Sequence, residues 1–205
     1  MRLFIGSIIQ TSSVPKQMQK LNRGKKIMKE KMDKGFVQIY TGNGKGKTTA
    51  ALGLALRAAG AGMKSYIIQF MKEYPYSEVE SLKNLNHSIE IEQCGGDDFV
   101  YKKELPPSDE LKKAAAGLRR AKDKMISGNY DLVVLDEVCV AIYFKLFNTI
   151  EVLDFIKSKP ANVELILTGR YCPQELIDAA DLVTEMKEVK HYYQTGVLTR
   201  KGIES

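Results

Sequence analysis

Residues 41–49, Thr41-Gly42-Asn43-Gly44-Lys45-Gly46-Lys47-Thr48-Thr49, constrain this chain more than any other stretch. They fall between an apolar run of β character, Phe36-Val37-Gln38-Ile39-Tyr40, and a helix-forming run over 50–61. Strand, glycine-rich loop and helix in that order build a phosphate-binding loop. The glycines allow a tight turn and aim successive N–H groups into one concavity, at the positive end of the following helix. In such a loop Lys47 supplies a point charge to a polyphosphate, and the Thr48 hydroxyl is placed to ligate Mg²⁺. The strict pattern has glycine where Thr41 stands, and Gly42 and Gly44 supply the flexibility one residue late. All of 41–49 is therefore the candidate nucleotide cradle.

A second run, Tyr130-Asp131-Leu132-Val133-Val134-Leu135-Asp136-Glu137, reads as a buried strand that ends in two carboxylates. Four consecutive apolar residues suit a central parallel strand covered on both faces. Acids at its C-terminal end lie where open α/β sheets bind ligands. Asp136 is then an acid of the Walker-B type, holding Mg²⁺ directly or through water. Side chains alternate along a strand, so one of Asp136 and Glu137 faces the metal, and the sequence leaves open which.

From Phe36 onward strand and helix patterns alternate. Strands are predicted over 36–40, 65–70, 89–93, 132–135, 164–168 and 182–186. Helices are predicted over 47–61, 76–82, 109–127, 138–146, 149–158 and 173–180. Gly60 and Gly62 end the first helix, and Ser108 serves as N-cap of the long one. This alternation predicts an α/β fold, a mostly parallel central sheet with helices on both faces. Residues 94–101 read as a loop at the active-site edge. Arg170 and the pair Lys190-His191 follow strands, near the same crevice. His191 reads as a packed or surface histidine.

The chain has 205 residues, 44% of them hydrophobic, enough for one domain with a full core. Its net charge of +6 invites a nucleic-acid reading. The distribution weakens it. Residues 1–34 carry nine Lys/Arg against two Asp/Glu, which leaves 22 against 23 for residues 35–205. The basic charge belongs to an N-terminal extension, 1–34, in which residues 16–34 have amphipathic spacing. The catalytic domain is 35–205. Three scattered cysteines fit a reducing cytoplasm rather than a disulfide framework. No apolar run approaches the ~18 residues that would span a bilayer.

Several blocks together resemble the P-loop class of corrinoid ATP adenosyltransferases. They are residues 41–60, then Ile68-Gln69-Phe70-Met71-Lys72, Val133-Val134-Leu135-Asp136-Glu137, Leu165-Ile166-Leu167-Thr168-Gly169-Arg170 and Glu188-Val189-Lys190-His191-Tyr192. Gly196 and Arg200-Lys201-Gly202-Ile203-Glu204 follow. The resemblance covers 36–204 and implies a RecA-like P-loop NTPase fold. It implies that Co(I) of a reduced corrinoid (cobalamin, cobinamide or cobyrinate diamide) attacks the ribose C5′ of ATP. The adenosyl group moves to cobalt and triphosphate leaves. Mg²⁺ or Mn²⁺ would serve as cofactor, with Thr48 and Asp136 as its side chains. Glu137 and Arg170 would join residues 41–49 in holding the nucleotide.

Lys47 would stabilise the leaving triphosphate. Phe99 and Tyr101 occupy the place of the family's Phe-x-Trp, which displaces the lower axial ligand of cobalt; Tyr101 departs from that pattern. The resemblance also implies a homodimer, a flavoprotein reductant and an N-terminal segment that covers the corrinoid. It implies neither a nucleic-acid nor a membrane partner. The alternative from the residues alone is a RecA-like ATPase acting on nucleic acid.

Overall fold

In the computed structural model, the structure describes residues 32–204 apart from Pro75 and Asn86. The segment 16–34, with its amphipathic spacing, lies almost wholly outside the described residues. Six strands form one sheet: β1 (Val37–Thr41), β2 (Ser65–Phe70), β3 (Ile89–Cys94), β4 (Leu132–Asp136), β5 (Glu164–Thr168) and β6 (Leu182–Glu185). Their order is β3-β2-β4-β5-β1-β6 and every pairing is parallel. Seven helices connect them: α1 (Lys47–Gly60), α2 (Ser77–Lys83), α3 (Asp98–Lys102), α4 (Ser108–Ile126), α5 (Val138–Tyr143), α6 (Thr149–Lys157) and α7 (Gln174–Ala179).

The period-two alternation of the strands divides the core in two. Ile67, Val134 and Ile166 face one side, where α1 lays down the small residues Ala51, Ala55 and Ala58. Tyr66, Ile68, Val133, Leu135, Leu165 and Leu167 face the other, under Ala114, Leu118, Ala121 and Met125 of α4. Strands β2, β4 and β5 are buried along their whole length, as the apolar run 132–135 predicts. β6 is an exposed edge. The three cysteines are free thiols.

Two local expectations are corrected. Residues 94–101 are not wholly loop, because Asp98–Lys102 closes a short helix, α3, ended by Lys103 in the left-handed region. Five residues carry too little pattern to announce a helix. Ser108 is the first residue of α4 rather than its N-cap. Pro107 takes the cap position, where its missing N–H costs nothing, and no side chain caps the helix.

A full capping box does occur at α6. The Asn148 side chain accepts from the Glu151 N–H at 2.9 Å, and Glu151 accepts from the Asn148 N–H at 2.8 Å. Asn148→Ala should lower stability by about 1 kcal/mol, read as a shift of the urea midpoint with unchanged slope.

Candidate active site

The C-terminal ends of β1, β4 and β5 meet at one edge, and the phosphate-binding loop leaves β1 there. Gly46 sits at φ +118°, a conformation only glycine adopts without strain, and opens α1 directly onto the loop. Gly44 lies so close to the backbone after β6 that a Cβ would fall 2.7 Å from the Met186 carbonyl oxygen. The Gly44 N–H donates to that oxygen at 2.6 Å. Here glycine is required by close approach rather than by φ. Thr41, where the strict pattern has glycine, is buried and donates its hydroxyl to the Gly169 carbonyl at 2.9 Å. It ties the loop's entrance to the end of β5.

Lys47 is buried, and its ammonium donates to the carbonyls of Gly42 at 2.7 Å and Gly44 at 2.8 Å. Burial draws its pKa below the ordinary lysine value, Glu137 works against that, and Arg170 reinforces it. Thr48 donates to Asp136 Oδ1 at 2.9 Å. Asp136, 1% exposed, also accepts from Thr168 Oγ1 at 2.6 Å, Gln69 Nε2 at 3.1 Å and Lys72 Nζ at 2.9 Å. A buried carboxylate is costly unless its oxygens are satisfied in this way.

Of the two acids left open by the sequence, Asp136 stands against Thr48. Glu137 departs from the strand at φ +60° and takes the N-cap position of α5, with its N–H donated to Thr168 Oγ1 at 2.9 Å. Burial, then the Asp136 charge, raises the Glu137 pKa.

A cleft of about 890 Å³ opens above these groups. Of the predicted cradle, Gly44, Lys45, Gly46, Lys47, Thr48 and Thr49 line it, as do Glu137 and Arg170. Thr41, Gly42 and Asn43 are outside its lining. Arg170 is exposed and makes no ion pair among the described residues, though its charge acts on Glu137 and Lys47.

Phe99 and Tyr101 are not brought to the cleft. Phe99 is buried in the core, edge-on to Phe144 at 6.2 Å, while Tyr101 is 78% exposed. Neither side chain is in the lining of the cleft, although the Tyr101 hydroxyl acts electrostatically on Tyr76, which is.

Thr48 and Asp136 offer hard oxygen donors suited to Mg²⁺. No three His, Cys, Asp or Glu side chains gather as a metal cage among the described residues. One carboxylate, one hydroxyl and the oxygens of a phosphate chain are a usual Mg²⁺ complement.

Of the opposite wall the sequence placed only Lys190-His191 near the crevice, and His191 does line it. That wall is the C-terminal segment, through His191, Tyr193, Gln194, Thr199 and Gly202–Glu204. Glu204 gathers it, accepting from Lys45 at 2.9 Å, from Arg200 at 3.1 Å and from the Tyr192 hydroxyl. His191 Nδ1 accepts from the Tyr193 N–H at 3.1 Å. The sequence signal for this wall is the block Arg200-Lys201-Gly202-Ile203-Glu204. Arg200, Tyr192 and Lys45, in that order, hold the Glu204 carboxyl far below the usual carboxylate range. Its stabilising contribution is complete above that range and is lost as the pH falls below it. Glu204→Gln should raise amide hydrogen exchange severalfold over 192–204 and leave α4 unchanged.

The all-parallel sheet with this loop defines a RecA-like P-loop protein. Within that class, residues 33–205 match the family model described as ATP:corrinoid adenosyltransferase BtuR/CobO/CobP. The chain belongs to that family. It is 32% identical over 183 residues to the corrinoid adenosyltransferase CobA of Salmonella typhimurium, covering 87% of this chain and 90% of that one. It is 31% identical to the corrinoid adenosyltransferase of Pseudomonas aeruginosa, with 91% and 94% covered. That of Escherichia coli K12 is 33% identical, with 84% and 86% covered. No helix among the described residues is long and apolar enough to cross a membrane.

Proposed function

We propose that this protein transfers the 5′-deoxyadenosyl group of ATP to the Co(I) centre of a reduced corrinoid. What supports the reading is the extent of the family match: 33–205 takes in every wall of the cleft. Cobalt supplies the electron pair, a Co–C5′ bond forms, the C5′–O bond breaks, and triphosphate leaves with that bond's electrons. Cobalt is the nucleophile, so no general base is needed.

The loop residues then hold a leaving group. Lys47 and the amides of 45–49 face the charge that builds on triphosphate. Thr48 and Asp136 would hold Mg²⁺ or Mn²⁺, which when bound neutralises part of that charge. Glu137 and Arg170 line the same cleft, where ribose hydroxyls and phosphate oxygens would meet a carboxylate and a guanidinium. Thr41, Gly42 and Asn43 act by shaping the loop. Tyr101 is the exposed member of the aromatic pair, available to a docking corrinoid. Phe99 reaches one only by leaving its packing against Phe144. An N-terminal cover formed by residues 1–34, a homodimer, a flavoprotein reductant and a cytoplasmic location belong to the same reading.

The test is the product. Protein, Mg-ATP and chemically reduced cob(I)alamin should give the visible spectrum of adenosylcobalamin, with one triphosphate released per cobalt–carbon bond. Release of ADP with no such bond would reject the transfer and leave a P-loop ATPase.

A further inference from the structure

Lys72 is a charged side chain of this site to which the transfer reading gives no task. Its placement is built. β2 ends at Phe70, and Met71 takes φ +57°, with its N–H donated to the Cys94 carbonyl at 3.0 Å. A left-handed residue other than glycine costs about 1 kcal/mol, and such strain gathers at functional edges. The turn brings Lys72 back over the sheet to β4.

The ammonium lies 2.9 Å from Asp136 Oδ2 and 3.4 Å from Thr48 Oγ1. The Tyr76 ring centroid is 5.0 Å away. The Lys72 side chain is 12% exposed against 1% for Asp136.

The cation thus sits where the hydroxyl and the carboxylate converge. We propose that Lys72 is a positioning residue, a resident counter-cation that occupies the Thr48–Asp136 position in the nucleotide-free protein and is displaced into the cleft by the metal–nucleotide. This rests on the reading of Thr48 and Asp136 as metal side chains.

A consequence follows for the order of binding. A divalent ion alone must expel a like charge from a buried carboxylate. A metal that arrives with triphosphate brings negative charge into the cleft, and the displaced ammonium, beside Lys47 and Arg170, has somewhere to go. Lys72 therefore couples metal entry to nucleotide entry.

The experiment titrates Mn²⁺ alone into the nucleotide-free full chain and reads free Mn²⁺ by its EPR signal. Lys72→Met keeps the length of the side chain without its charge and should bind Mn²⁺ about tenfold tighter than wild type. Lys72→Arg keeps the charge and should stay within about threefold of wild type. Asp136→Asn should remove the tight binding from the Lys72→Met background. A brace that was merely structural could not tighten metal binding when lost. Lys72→Gln, neutral and able to hydrogen-bond the carboxylate, should show the same gain and replaces Lys72→Met if that variant does not fold. If the neutral variants bind no tighter than wild type while Asp136→Asn still weakens binding, the role of Lys72 is overturned and the metal reading stands. If Asp136→Asn changes nothing in any background, both are overturned.

Discussion

Lys47→Ala is expected to cut adenosyl transfer by about a thousandfold while the protein stays folded. In the nucleotide-free chain the ammonium spans the Gly42 and Gly44 carbonyls. That bracing keeps the loop's concavity open and holds the charge at its floor. In the proposed transfer, negative charge grows on the triphosphate oxygens as they depart, and the same ammonium is placed to face them. Removing one preorganised donor of this kind costs about 10²–10³ in turnover, and here the donor also carries a full charge.

The structural cost should be small. The Gly44 residue lines the cleft, where its carbonyl can be rehydrated, so the loss of the two hydrogen bonds amounts to about 1 kcal/mol. Lys47→Arg should fail nearly as badly, because a planar fork does not fit between two carbonyls that a compact ammonium bridges. Steady-state kinetics with chemically reduced corrinoid, beside urea denaturation, separates the two effects. Turnover within fivefold of wild type would remove Lys47 from the mechanism.

The loop and the Walker-B strand were legible because each is a local pattern with a physical cause. Glycines at 42, 44 and 46 permit the turn, and four apolar residues at 132–135 require burial on both faces. The central strands were legible for the same reason, and their parallel order followed from the alternation with helices. What the sequence hid depends on residues distant in the chain. Lys72 reaches Asp136 through an unusual backbone angle at Met71, which no residue type announces. Gln69 and Thr168, polar residues at the ends of buried apolar strands, were a usable signal, since a buried polar side chain needs a partner. That partner is Asp136 in both cases. Thr41 looked like a defect in a motif and is a cross-strand tie. His191 was expected near the crevice, but the role of Glu204 in that wall was hidden because it meets Lys45 across 159 residues. For α3 the helical pattern is too short, and the burial of Phe99 against Phe144 is a tertiary fact.

Asp136→Asn should abolish transfer and also destabilise the fold by about 3 kcal/mol, and the second effect is the more informative. The amide keeps the shape. Its oxygen can accept from Lys72 and Gln69, and its NH₂ can donate to the hydroxyls of Thr48 and Thr168, which reorient to accept. Only the charge is lost. Breaking one side of a buried ion pair is costly because the surviving charge is left uncompensated. Here that charge is Lys72, whose slight opening to the cleft places the cost at the lower end of the range. Lys72→Met in the same chain removes the stranded charge. The double variant should therefore recover about 2 kcal/mol relative to additive losses, while transfer remains abolished because Asp136 is still missing. Urea denaturation of the four proteins at fixed pH measures the coupling. A coupling near zero would mean that Asp136 is held by its neutral hydrogen bonds alone, and the ion pair at 2.9 Å would then contribute nothing to the fold.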